Sequence, residues 1–174
     1  MIFFMNDVSL HALINHWRGM YKALEHDWQT SAKDLGLTTA EQHMLWIIHF
    51  EKEVTMTRIA EVGLWDISTV VQVANRLKKK GYIQTLKHDN DRRISYCILT
   101  NEGDAIRAES AKYHYKTLDY LSTLNEDSNF IETLSSFQKK FNEHFHGRDF
   151  VEWIERTSKI QGPEDHDKKT STTR

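Results

Sequence analysis

Between residues 68 and 93 the chain carries side chains suited to holding a nucleic-acid duplex rather than to making bonds. Ser68, Thr69, Val71, Gln72, Asn75, Arg76 and Lys79 share one side of a stretch with helical spacing, and Lys87, Asp91, Arg92 and Arg93 follow in a basic segment. Small hydroxyls at a helix start can approach phosphates, and Gln72 and Asn75 can pair with a base edge in two places. Arg76 can reach guanine or a phosphate, and an exposed Val71 can touch a thymine methyl. Asp91 is the odd member of a segment that would face phosphates. Its natural partner is Arg93, because a carboxylate fixes the direction of a guanidinium and so holds a long side chain for insertion into a narrow groove. An ordinary amphipathic helix with a solvated polar face would show the same pattern over residues 68–79, so the reading depends on what surrounds it.

The elements needed to position those residues are legible nearby. Ile59, Ala60 and Val62 have near-helical spacing, and Gly63 is placed to supply a left-handed stop. A second helix begins near Asp66, with Ile67, Val70, Val73, Ala74 and Leu77 as one buried stripe and Gly81 as terminator. Residues 82–86 and 94–99 are β-branched and aromatic runs separated by the polar turn segment 87–93, which predicts a hairpin with a basic tip. Seven Lys or Arg stand against two Asp from Arg76 to Arg93, in a chain whose formal charge is −2. Positive charge is therefore concentrated beside the reading helix, where it can orient the molecule on a polyanion. A short helix, a turn, a longer helix and a hairpin in that order predict a winged helix-turn-helix.

The rest of the chain reads as flanking helices. Leu10, Leu13, Ile14, Trp17, Met20, Tyr21, Leu24 and Trp28 give a helix over about 9–33 a broad apolar face, which requires a partner. Thr38-Thr39-Ala40-Glu41 has the form of a capping box ahead of Met44, Leu45, Ile47 and Ile48. Val54-Thr55 predicts a brief strand, with Thr55 or Thr57 as the next cap. Residues 100 to about 124 predict one long helix carrying Ile106, Tyr113, Leu118 and Leu121. A break follows at 125–128. Phe130, Ile131, Leu134, Phe137, Phe141 and Phe145 then mark a further helix, and Phe150, Val151, Trp153 and Ile154 a short last one. So many aromatics on terminal helices are most economically buried against a second copy.

The run Asp91-Arg92-Arg93 followed by Leu99-Thr100-Asn101-Glu102-Gly103 resembles the wing signature of the MarR family of bacterial transcription regulators. Ser68-Thr69-Val70, Arg76-Leu77 and Gly81-Tyr82-Ile83 fall where that family has its recognition helix and first wing strand. Spaced elements agree in order, which a single short motif could not offer. Glu41-Gln42-His43-Met44-Leu45-Trp46-Ile47, Ile59-Ala60 and the Ser68-Thr69 start further resemble the branch of the family that controls protease production.

The resemblance implies a mainly α fold with a small β-wing. A winged helix-turn-helix DNA-binding domain at 37–103 would be flanked by dimerisation helices at 9–36 and 104–160, with a disordered tail at 161–174. It implies that Ser68, Thr69, Gln72 and Arg76 face the major groove and that Arg93, supported by Asp91, enters the minor groove. Gln72 stands where family members often carry Arg, so the resemblance does not carry over a base preference at that position. An obligate homodimer on a near-palindromic operator in double-stranded DNA would act as a repressor. The branch likeness adds genes for extracellular proteases, peptide transport and sporulation or stationary phase. The second reading within the same fold is a ligand- or redox-responsive sensor whose small-molecule effector controls operator release.

Composition bounds the alternatives. A chain of 174 residues with 39% hydrophobic content, one Pro and seven Gly suits a largely helical fold. The apolar run Met1–Met5 is too short for a signal peptide core or a membrane span, which leads to the expectation of a cytoplasmic protein, nucleoid-associated when bound to DNA, with no membrane partner. The single Cys97 cannot form an internal disulfide, and in a wing strand it reads as a buried, inert thiol rather than a switch. Ten histidines include the pairs His11/His16, His43/His49 and His144/His146, but no pair matches a zinc-finger or His-Glu-x-x-His spacing, so no metal is expected. His144 and His146 read as surface groups or pH-sensitive dimer contacts. Trp and Tyr residues of the first helix could line an effector pocket, although they more often form core or interface. No nucleophile-base motif, phosphate-binding glycine loop or credible carboxylate pair points to catalysis, and no cofactor is expected.

Overall fold

The computed structural model of the chain describes residues 7–88, 91–124 and 128–158. In chain order the elements are α1 (Asp7–Asp34), α2 (Thr39–Glu51), β1 (Val54–Thr55), α3 (Met56–Gly63), α4 (Ile67–Lys79), β2 (Ile83–His88), β3 (Asp91–Leu99), α5 (Asn101–Ser110), α6 (Lys116–Thr123), α7 (Ser128–His146) and α8 (Arg148–Ser158). Two compact units divide the chain, residues 1–131 and 132–174. The readings made for residues 1–5 and for the tail at 161–174 lie outside the described residues.

α2 is the helix around which the first unit is assembled. Its start is closed by the capping box: Thr38 Oγ1 accepts from the Glu41 N–H at 3.2 Å, while the Thr38 N–H donates to Glu41 Oε2 at 2.8 Å. Met44, Leu45, Ile47 and Ile48 are all fully buried, because α1, α3, α4, α5 and β3 pack around them. Each such side chain contributes roughly 1.5–3 kcal/mol through burial. A buried hydrogen bond from Gln42 Nε2 to Ser31 Oγ, 2.8 Å, ties α2 to α1.

The sheet has the order β1-β3-β2 and is antiparallel throughout. Val54 pairs with Cys97 on one side of β3, and Ile83 with Leu99, Thr85 with Cys97 and Leu86 with Tyr96 on the other. The strands run further than the sequence pattern indicates. Lys87, His88 and residues 91–93 belong to the strands, with His88 opposite Asp91 after a register shift beyond Leu86. Ladder pairing overrides the polar composition that marks 87–93 as a turn.

Two further expectations are corrected. The single helix predicted from 100 to about 124 is two, α5 and α6, although residues 104–146 contain neither Gly nor Pro. After Ser110 the N–H groups of Ala111, Lys112 and Tyr113 turn back to carbonyls three residues earlier, and Tyr115 is extended. The restart is capped from a distance. Asp27 of α1, buried, accepts from the Thr117 N–H and hydroxyl at 2.8 Å each, satisfying donors that a continuous helix would satisfy itself. The second correction concerns the stop after α3. The left-handed residue is Leu64 (φ 54°), whereas Gly63 is helical and buried. A Cβ on Gly63 would lie 3.0 Å from the Trp65 ring and 3.3 Å from Ile47 Cδ1, so the glycine serves close packing rather than the turn.

The join of sheet to α5 explains the Leu99-to-Gly103 run. Thr100 caps α5 through its hydroxyl, which accepts from the Gly103 N–H at 3.0 Å, and the Thr100 N–H donates to the Tyr82 carbonyl at 3.0 Å. A side chain on Gly103 would collide with that carbonyl oxygen, so only glycine admits the approach. In the second unit, α7 reaches α8 through Gly147 (φ 82°), and Val151, Trp153 and Thr157 are buried on α8.

Candidate nucleic-acid interface

α3 and α4 are joined by a turn in which the N–H groups of Leu64 and Trp65 donate to Glu61 and Ala60 carbonyls. Asp66 then opens α4 from an extended conformation (φ −66°, ψ 144°). One face of α4 is core: Val70, Val73, Ala74 and Leu77 are at most 1% exposed. The opposite face carries Ser68, Val71, Gln72, Asn75, Arg76 and Lys79, all exposed, with Thr69 half-buried at its border. Burial of the first face fixes the rotation of the helix and therefore the direction in which the second set points.

Ile67 departs from the expected buried stripe. It is 51% exposed in the first turn of α4, one helical turn before Val71, which is 43% exposed. Ile67 lies at the edge of the stripe, and residues four apart share a face. The two form an apolar pair within an otherwise polar surface, suited to a thymine methyl. Its exposure is not legible in the sequence, because an isoleucine at helical spacing from four core positions reads as a fifth.

Arg76 is also more constrained than its type alone conveys. Its Nε lies 3.4 Å from Oε1 of the buried Glu41, and Lys80 reaches Glu41 Oε2 and the Gly36 carbonyl at 2.9 Å each. Burial pushes the Glu41 carboxyl up, but hydrogen bonds from the Thr38 backbone and Lys80, with the Lys80 charge, hold it below the usual carboxylate range. It is therefore ionised at neutral pH.

The wing is an extension of β2 and β3. Lys87 is exposed near the end of β2, and Ile94 on β3 is 40% exposed. Asp91, Arg92 and Arg93 belong to β3 by backbone, while their side chains, with the expected Asp91–Arg93 pairing, lie outside the described residues. Cys97 is fully buried, its Sγ 3.8 Å from Met56 Sδ, and burial pushes the thiol up, away from the reactive thiolate.

Between α1 and α2 lies a cavity of about 150 Å³ lined by Trp28, Thr39, Gln42, His43, Trp46 and Tyr115. Of the α1 aromatics only Trp28 lines it; Trp17 and Tyr21 are exposed, 43% and 55%. Trp46 also joins α2 to α5. Its Nε1 donates to Ser110 Oγ at 2.9 Å, and the Arg107 guanidinium sits 4.8 Å above its ring. Among the described residues no group of three or more His, Cys, Asp or Glu is placed to hold a metal ion, and no helix is long and apolar enough to cross a membrane.

A winged helix-turn-helix whose second helix has one face in the core and a polar face outward is an arrangement that can present side chains to a duplex groove. Residues 37–95 match the model of the MarR family. Over 145 residues the chain is 28% identical to the HTH-type transcriptional regulator Hpr of Lysinibacillus sphaericus, covering 80% of this chain and 77% of that protein. It is 33% identical over 89 residues to the DNA-binding transcriptional repressor ScoC of Bacillus subtilis, covering 51% and 44%. Among solved structures, a cysteine-substituted MarR from E. coli complexed with operator DNA matches with a TM-score of 0.64 at 22% identity, over 81% of this chain and 99% of that one, a likeness of fold. The chain thus carries a MarR-family domain over residues 37–95, and its similarity to the Hpr regulator extends beyond that domain over 80% of its length.

Proposed function

We propose that the chain is a homodimeric, sequence-specific repressor that seats α4 in the major groove of double-stranded DNA and sets the wing against the adjacent minor groove. The observation that carries this reading is the division of α4: four residues lock it into the core, while Ser68, Gln72, Asn75 and Arg76 project from a basic surface. Thr69, Val71, Lys79 and Ile67 complete the helix contacts, and Lys87, Asp91, Arg92 and Arg93 form the wing contacts. Two copies related by a twofold axis would meet successive major grooves about 34 Å apart on a near-palindromic operator. The protein would work in the cytoplasm, associated with the nucleoid when bound. The similarity to regulators named Hpr and ScoC agrees with the branch that the sequence resembles, and we extend to this chain the targets which that resemblance implies: genes for extracellular proteases, peptide transport and sporulation or stationary phase.

The test is titration of duplexes selected by the protein from a randomised pool. Arg93→Ala should weaken the selected duplex by ~1–3 kcal/mol with the dimer intact, and unchanged affinity at matched salt removes the wing from the site. Gln72→Ala should reduce discrimination between selected and scrambled duplexes. A uniform loss on both makes Gln72 a backbone contact instead. Mapping of bound DNA in the native host then identifies the regulated genes, and an absence of protease, peptide-transport and sporulation promoters rejects the target assignment.

The cavity beside Trp28 and Trp46 favours a second reading, in which a small aromatic effector controls operator release. An effector acts by binding one state of the dimer better than the other. Quenching of tryptophan emission by a compound that also lowers duplex affinity would support it, and quenching without any change in affinity would reject it.

A further inference from the structure

We propose that Glu41, in the first turn of α2, is a positioning residue for DNA recognition: it holds Arg76 of α4 by the Nε edge and so presents the paired Nη groups to the duplex. The proposal rests on the reading of α4 as the recognition helix. It adds a residue outside that helix to the determinants of specificity.

Glu41 is 1% exposed, an unusual place for a carboxylate. Its two oxygens have different surroundings. Oε2 accepts from the Thr38 N–H at 2.8 Å and from Lys80 Nζ at 2.9 Å. Oε1 accepts no hydrogen bond among the described residues and faces Arg76 Nε at 3.4 Å. The capping box uses one oxygen only, and glutamine would serve it equally. A buried charge carries a desolvation cost that capping does not offset. What the negative charge matches is the pair Arg76 and Lys80, which lie four residues apart on α4 and its C-cap and so share an edge.

The consequence for Arg76 is geometric. Guanidinium has its donors in a rigid planar fork, and an anchor at Nε directs the Nη1/Nη2 edge the opposite way. That edge matches guanine O6 and N7 or two phosphate oxygens. The Arg76 side chain is 47% exposed, so the anchored group still reaches solvent. An arginine already restrained in the free protein loses less rotamer freedom on binding. In the primary sequence Glu41 appears only as a cap, because 35 residues separate it from Arg76.

The experiment uses the full chain, a fluorescein-labelled duplex selected by the wild-type protein from a randomised pool, and a scrambled duplex. Glu41→Gln keeps an acceptor for the Thr38 N–H and removes the charge. It should weaken the selected duplex roughly 3- to 10-fold in the wild-type background and less than about twofold when Arg76 is already alanine. Thr38→Ala breaks the same cap from the other side, and it should lower the melting temperature while leaving the ratio of selected to scrambled affinity unchanged. Equal losses from Glu41→Gln in both backgrounds, or an equal loss of that ratio in Thr38→Ala, overturn the positioning role while the DNA reading stands. A wild-type protein that binds no duplex in the pool overturns both. If Glu41→Gln does not fold, the wild-type protein still decides the matter. The Arg76 Nε–H resonance, assigned by its loss in Arg76→Ala, should report restricted side-chain motion by 15N relaxation without DNA, and motion as free as that of an unrestrained arginine overturns the proposal.

Discussion

The lobe built around α2 and the helices α1 and α7 share one sequence pattern, apolar residues at three- and four-residue steps, and meet opposite environments. In the lobe, Met44, Leu45, Ile47, Ile48, Ile59, Val70 and Leu77 are fully buried. On α1, Leu10, Ile14, Trp17, Met20 and Tyr21 are between 43% and 55% exposed, and on α7 Phe130, Phe137 and Phe145 are between 44% and 62% exposed. Periodicity therefore establishes that a face exists and leaves open what covers it. In the lobe other elements of the same chain do so. For α1 and α7, exposed apolar area of this extent marks an interaction surface, consistent with the proposed second copy.

The largest effect expected is in the lobe. Leu77→Ala removes a fully buried side chain where α4 meets the core, and should cost about 3 kcal/mol of unfolding free energy. The loss should be the same at low and high protein concentration, as measured by denaturant titration. A loss below about 1 kcal/mol would show that the lobe does not carry its own core. The complementary change is Ile14→Glu, on an α1 residue that is 53% exposed. It should leave the lobe folded, raise the dimer dissociation constant at least tenfold, or about 1.4 kcal/mol, and reduce the dependence of melting temperature on protein concentration. Sedimentation showing an unchanged dimer would separate the apolar face of α1 from assembly and remove the contrast between the two regions.

Legibility in the sequence follows the same division. Local signals carried through: the capping box at Thr38, the Thr55 cap, the brief strand at Val54 and the buried side of α4 from Val70 to Leu77 are each determined by neighbours within a few residues. What stayed hidden depends on distant partners. No local breaker separates α5 from α6, because the restart is capped by Asp27, 90 residues earlier. Gly63 has the residue type of a stop and is used for close packing against Trp65 and Ile47, which leaves Leu64 to take the left-handed conformation. At the site, the exposed polar face of α4 was visible as a pattern, while the exposure of Ile67 and the tether from Glu41 to Arg76 exist only once α2 and α4 are packed together.

The smallest effect expected tests the link that joins α1 to α6. The Thr117 backbone N–H first, and its hydroxyl second, hold the Asp27 carboxyl below the ordinary aspartate range. A carboxylate whose folded value is depressed stabilises the fold above its unfolded value, near 3.9, and that contribution is lost as pH falls through the folded value. Asp27→Asn should therefore lower the melting temperature at neutral pH and flatten the decline below about pH 4 relative to wild type. His49 provides an internal reference in another window. Burial, then the Arg107 and Lys52 charges, hold it below the usual histidine range despite Asp104 at 3.1 Å, so its neutral form is favoured in the fold. As pH drops past about 6.5 the unfolded chain takes up a proton there that the folded chain resists, and stability declines in the wild type and in Asp27→Asn alike. Parallel acid limbs for the two proteins below pH 4 would mean that the Asp27 cap adds nothing to the fold, leaving α1 joined to the lobe by its contacts with α2, including the Gln42–Ser31 hydrogen bond.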